Sequence, residues 1–146
     1  MNGPDHAAAP ARRQRADPRP LASALVADVA IVVLFVAVGR QSHDEASGGA
    51  GVGETAAPFL IALLGAWIAV VAHHTAIARR PVGDLDGTAR RVGVAAGLVT
   101  VGAGLVLRRW AFDRGTALSF VIVTVLVLGG GMVAWRVAWR IRSRAG

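Results

Sequence analysis

The chain has 146 residues, 54% of them hydrophobic, a formal net charge of +7 and no cysteine. The lack of cysteine excludes a disulfide framework, a thiol nucleophile and a cysteine metal site. Its apolar residues fall into four long blocks, whereas a soluble domain spreads them at helix or strand periods. The composition therefore predicts an all-α, polytopic membrane protein that folds as a four-transmembrane-helix bundle. In a membrane protein, the positions of the basic residues indicate which side faces the cytoplasm. We therefore interpret the positive charge in terms of topology, and we expect no nucleic-acid partner.

Residues 1–20 are polar and contain four prolines and four arginines without apolar periodicity. Such a segment cannot bury enough apolar surface to fold, so we expect a disordered cytoplasmic tail. A signal peptide is the alternative, because basic residues precede an apolar run. That run is long, however, and it ends in GRQSHDE instead of a small-residue cleavage site.

The first apolar block, residues 21–39, matches the length of a membrane span and contains one charge, Asp28. A carboxylate at that depth costs several kcal/mol unless it finds a partner. The polar residues that follow form a candidate outer-face cluster of Arg40, Ser42, His43 and Glu45. Because no recognised metal-ligand spacing is present, we expect no metal there, and a solvated, ion-paired helix end remains the alternative.

Three further helices are predicted, over about residues 56–78, 90–108 and 116–139, which gives a transmembrane domain over residues 21–140. A Gly-rich loop through Gly53 precedes the second helix, with Thr55 as its N-cap and Pro58 in its first turn. Small residues on the last two helices would let helix backbones approach closely in lipid. These helix-packing residues are Gly93, Gly97 (a GxxxG pair), Gly104, Gly130 and Ala134. Residues 141–146 are predicted to be a basic C-terminal tail.

The arginines predict the topology of the chain. The N-terminal tail, the connection between helices two and three, and the C-terminal end carry twelve arginines, and the other two loops carry four. Positive residues concentrate on the cytoplasmic side of membrane proteins. The sequence therefore predicts that both termini are cytoplasmic and that the protein lies in the inner (plasma) membrane as a multi-pass protein.

This orientation places four polar side chains at similar depth, near the cytoplasmic side. Asp28 lies about 10 Å into helix one and His73 about 7–8 Å into helix two. Arg136 and Arg91 enter at the same level from helices four and three. We therefore predict an intramembrane polar cluster of Asp28, His73, Arg136 and Arg91. Alternatively, Asp28 only hydrogen-bonds a neighbouring helix, while Arg136 extends to the interface.

The run FVAVGRQSHDE resembles the G-R-x-S-H-x-E signature of a family of small four-helix prokaryotic membrane proteins, domain of unknown function 3054. Further similarity lies in Asp28, Arg80-Pro81, the GLVLR segment at 104–108 and the AWR segment at 134–136. The resemblance covers about residues 21–140. It implies a polytopic membrane protein and no activity, and it draws attention to Asp28, Arg40, His43 and Glu45.

Three functions are compatible with this pattern. The first is a small transporter or permease-like protein, because intramembrane Asp and His can carry or gate a proton or cation. The second is a structural or accessory subunit that packs against another membrane protein, which glycines left over from bundle packing would favour. The third, least supported, is an enzyme at the membrane interface. We expect no enzyme and no cofactor; the expected partners are the lipid bilayer and a second copy or another membrane protein.

Overall fold

A computed structural model of the chain describes residues 19–41, 49–87, 89–112 and 117–145. Within these ranges the chain is helical and contains no β-strand. The α-helices are α1 (Arg19–Gln41), α2 (Gly49–Ala72), α3 (Arg90–Trp110), α4 (Leu118–Val123) and α5 (Gly130–Ala145). A π-helical turn, His73–Ile77, extends α2; a short 3-10 helix, Val82–Asp84, follows; and a second π-helical segment, Thr124–Gly129, joins α4 to α5.

Four helical segments of the described chain are long and apolar enough to cross a membrane. They are Leu21–Gly39, Gly51–Ile77, Arg90–Trp110 and Leu118–Ala145, and we call the last of these the fourth span. The prediction of an all-helical protein with four membrane-length helices is therefore confirmed. These features indicate a multi-pass membrane protein.

An aromatic cluster holds three of the spans together at one end of the bundle. The ring centroids of Phe35 and Phe59 lie 6.0 Å apart, nearly edge to face, and Phe120 lies 6.3 Å from each of them. The guanidinium of Arg108 stacks over the Phe120 ring at 4.4 Å, which ties α3 to the same cluster. Together with Arg108, the aromatic cluster therefore connects α1, α2, α3 and α4.

The glycines of α3 are close-packing positions inside this bundle. Gly93 and Gly97 are buried beside α5, and Gly104 is buried beside Phe59. A Cβ added at Gly104 would overlap the Phe59 ring, so a larger residue there would require that ring to move. Gly130 and Ala134, by contrast, are exposed on the fourth span, and a Cβ added at Gly130 meets no atom within 4 Å.

The second helix begins earlier than predicted. Residues 49–53, expected in a loop, form the first turns of α2, and Thr55 is an interior residue whose hydroxyl donates to the Gly51 carbonyl at 2.9 Å. Pro58 accordingly lies inside the helix and is buried. Glycine disfavours a helix in water, but at a membrane boundary a helix satisfies backbone groups that a loop would leave unpaired.

The ends of the other helices also differ from the prediction. α1 begins at Arg19, inside the predicted tail, and α5 continues to Ala145 through most of the predicted basic tail. The π-helical turn after α2 ends at Ile77. Arg79, two residues later, adopts a left-handed φ of 51°, and the Arg80 N–H donates to the His74 carbonyl.

Candidate functional site

Asp28 and Arg136 form a buried ion pair between the first and fourth spans. Both side chains have no exposure to solvent. Arg136 Nη1 donates to Asp28 Oδ1 and Arg136 Nη2 donates to Asp28 Oδ2, each at 2.8 Å. This two-pronged geometry fits the planar guanidinium to the planar carboxylate and gives strong, directional hydrogen bonds.

Two tryptophan indoles complete the surroundings of the carboxylate. Trp67 Nε1 on α2 donates to Oδ2 of Asp28 at 3.1 Å, and Trp135 Nε1 on α5 donates to Oδ1 at 2.9 Å. The guanidinium of Arg136 also lies over the Trp135 ring, 4.5 Å from its centroid. Asp28 therefore accepts four hydrogen bonds, which uses the roughly four lone-pair positions of a carboxylate.

Two further N–H groups of Arg136 bind backbone carbonyls. Its Nη1 donates to Met132 O at 2.7 Å, and its Nε donates to Gly87 O at 3.0 Å. Gly87 belongs to the connection between α2 and α3, so the arginine also fastens that loop. Gly93 permits this position of Arg136, because a Cβ there would lie 2.5 Å from Arg136 Cδ. We call the four side chains Asp28, Trp67, Trp135 and Arg136 the polar clasp.

The chemistry of the polar clasp is that of a structural fastening. Removing two charges from water is costly, and the cost is offset only when geometry is good and every polar group finds a partner. Here the charges are paired, and donors from three side chains surround the carboxylate. No lone pair of Asp28 is left to receive an ion or a substrate.

His73 and Arg91 are not part of this group, so the predicted cluster is corrected. His73 is exposed on the π-helical turn, six residues or about 9 Å along the helix from Trp67, and on a different face. Arg91 is exposed on the side of α3 opposite the buried glycines. The predicted depths were counted from approximate helix ends, and depth alone does not specify which way a side chain faces around its helix.

The outer-face cluster cannot be assembled from the described residues. Arg40 lies in the last turn of α1, while Ser42, His43 and Glu45 lie outside the described residues.

The sequence interpretation placed neither Trp67 nor Trp135 in the predicted cluster. Indoles count as apolar in a hydropathy profile, although each carries one N–H that needs an acceptor when buried. The sequence does contain a feature that points to this role, because Trp67 lies well inside an apolar span. A buried donor there needs an acceptor at its own depth, and Asp28 is the acid within the first span.

A lateral groove lies beside the polar clasp. It occupies about 460 Å³ between α1 and α2 and is lined by aliphatic side chains, including Leu21, Leu25 and Val71, and by Trp67. Neither Asp28 nor Arg136 lines it. The Trp67 side chain thus separates the groove from the carboxylate.

Comparison with known proteins identifies the family of the chain. The sequence model of a family described as protein of unknown function DUF3054 matches residues 25–139. The chain belongs to the DUF3054 family. All four residues of the polar clasp lie within the region that the DUF3054 model matches. No curated protein and no solved structure matches the chain.

Proposed function

We propose that this DUF3054 protein is a structural or accessory subunit of the inner (plasma) membrane, neither a carrier nor an enzyme, with both termini in the cytoplasm. The arginine distribution supports this orientation. The observation that carries the proposal is the closed coordination of Asp28, whose carboxylate is fully buried and accepts four hydrogen bonds.

A transport site must bind its cargo and release it. At Asp28 an entering cation would have to displace the Arg136 guanidinium and two indole donors, and the displaced arginine would remain buried without a partner. Breaking such a pair costs about 3–5 kcal/mol. The closed polar clasp therefore argues against the transporter alternative, and the exposed position of His73 removes the Asp/His relay on which that alternative rested.

The fourth span supplies a surface on which another membrane protein can pack. In the most apolar stretch of the fourth span, 17% of the residues are buried inside the bundle, compared with 39% in the corresponding stretch of the second span. Gly130, Ala134 and Ala138 follow one another at four-residue spacing on its exposed side. Small residues allow a second helix backbone to approach closely, and close packing drives helix association in lipid. The occupant we propose is an apolar transmembrane helix of another protein.

The first experiment tests for transport. The purified protein is reconstituted into vesicles that contain a pH-sensitive dye, and a proton gradient or a K⁺ gradient with a proton carrier is imposed. We expect the wild-type protein to give the same leak as protein-free vesicles. A flux that depends on the presence of the folded protein would overturn the proposal.

The second experiment tests the packing surface. Because the chain has no native cysteine, single cysteines report one position each. Ala134→Cys is compared with Leu64→Cys, an exposed position on α2, after each cysteine is labelled with a thiol-reactive photo-cross-linker and irradiated in the native membrane. The mass of the adduct distinguishes another protein from a second copy of this chain. We expect an adduct at position 134 alone, which disappears when Gly130→Leu is added. Adducts at both positions, or an adduct at position 134 that survives Gly130→Leu, would argue against a specific surface.

A further inference from the structure

A second groove, shallow and open, runs along the exposed surface of α3. It has a volume of about 490 Å³ and is lined by Arg90, Arg91, Val94, Ala95 and Leu98. These positions recur with the period of an α-helix, so they form one continuous strip. The strip extends from the first turn of the span to about 12 Å deeper in the hydrocarbon region. Arginines thus stand at the membrane boundary, directly above an aliphatic wall.

The two arginines of this groove differ from Arg136 and Arg140, the two arginines of α5 that form ion pairs. Arg136 is paired with Asp28, and Arg140 is paired with Asp86 at 3.1 Å. Neither Arg90 nor Arg91 forms an ion pair with a carboxylate in the part of the chain that the structure describes. α3 also begins here without a side-chain cap at Ala89, so the positive end of the helix dipole adds to the two guanidinium charges.

We propose that this groove binds an anionic phospholipid. Its phosphate lies against Arg90 and Arg91, and one acyl chain lies along Val94, Ala95 and Leu98. Guanidinium groups match the geometry of phosphate oxygens, and basic pockets at the cytoplasmic ends of spans favour anionic head groups. A free phosphate would leave the aliphatic wall uncovered, whereas a neutral helix would leave two cations without partners. A phospholipid pairs its phosphate with the two arginines and covers the aliphatic residues with an acyl chain.

The test uses the full-length protein in detergent, titrated with dioleoylphosphatidylglycerol or with dioleoylphosphatidylcholine, and native mass spectrometry counts the bound lipids. We expect the anionic lipid to bind at least about tenfold more tightly. The double variant Arg90→Gln/Arg91→Gln should lose that preference. The matched control, Arg142→Gln/Arg144→Gln, removes the same charge from exposed residues of α5 and should keep it.

Two further measurements separate a bound lipid from general charge attraction. Ala95→Trp fills the aliphatic part of the groove without changing the charge, and it should weaken phosphatidylglycerol binding. Glycerophosphoglycerol, the head group without acyl chains, should fail to compete at equal concentration. Equal loss of affinity in both arginine double variants, or full competition by the free head group, would overturn the proposal. Far-ultraviolet circular dichroism of each variant checks that the helices remain folded.

Discussion

Asp28→Asn is the substitution that most directly tests the role of the polar clasp. An asparagine has one carbonyl oxygen, so whichever way its amide turns, one of the two oxygen positions becomes an NH₂ group. That group would face two donors, an Arg136 nitrogen and an indole N–H, and two of the four hydrogen bonds are lost. At about 1.5–3 kcal/mol for each bond to a charged group, the loss is about 3–6 kcal/mol. Breaking a buried ion pair gives a similar range, about 3–5 kcal/mol.

A double-mutant cycle distinguishes this pairing from two independent contributions. Arg136→Met alone leaves the carboxylate without its cation and should also cost about 3–5 kcal/mol. The double variant Asp28→Asn/Arg136→Met removes both charges, so its free energy of unfolding should be close to that of either single variant. We therefore expect a coupling energy of about 3 kcal/mol. The free energy is measured by titrating detergent micelles with dodecyl sulfate and following helicity.

The exposed pair Arg140–Asp86 is the matched control for this cycle. Its side chains are 45% and 52% exposed, and solvent screening limits such a pair to about 1 kcal/mol or less. The reasoning fails if the Asp28 and Arg136 variants each cost less than about 1 kcal/mol, or if their effects simply add.

Three further predictions concern single positions, all measured as changes in the free energy of unfolding in micelles. Gly104→Ala should destabilise by about 1–3 kcal/mol, because its Cβ would overlap Phe59, whereas Gly102→Ala, with open space around its Cβ, should not destabilise. Thr100→Val should stabilise by about 1 kcal/mol, because the fully buried Thr100 hydroxyl has no hydrogen-bond partner in the described structure; destabilisation would show that it has one. His73→Gln should leave stability unchanged, because His73 is exposed; a loss above about 1 kcal/mol would place it in a buried contact.

Much of the fold could be predicted because membrane spans obey few rules. A span needs about 20 apolar residues with every backbone group paired, and the four apolar blocks of this chain meet that condition. The same logic indicated that Asp28 requires a partner and that Arg136 lies within reach. The sequence does not specify the rotation of each helix about its own axis. That rotation decides whether His73 or Trp67 faces Asp28.

The start of α2 shows a different limit. Residues 49–53 contain three glycines, a composition typical of a loop in water, yet they are helical. Glycine propensity is measured where water competes for the backbone, and that competition weakens near lipid. Similarly, the buried position of Arg136 depends on space left by Gly93, and a sequence pattern does not specify which glycine faces which arginine.

The π-helical segment of the fourth span has a consequence for insertions and deletions. The inward-facing residues of this span recur at every fourth position: Phe120, Thr124, Leu128, Met132 and Arg136. In an unbroken α-helix each step of four residues overshoots a full turn by about 40°, so Arg136 would end about 160° away from Phe120. The wider turn at Thr124–Gly129 accommodates one extra residue and reduces the offset to about 60°.

The span therefore holds one spare residue between the aromatic cluster and the polar clasp. Deleting one residue between Phe120 and Arg136 can be absorbed by converting the π-helical segment to α-helix, with both ends still facing inward. An inserted residue cannot be absorbed in this way, and it would rotate Arg136 about 100° around the helix axis, away from Asp28. Length variation in this span should thus be tolerated in one direction only.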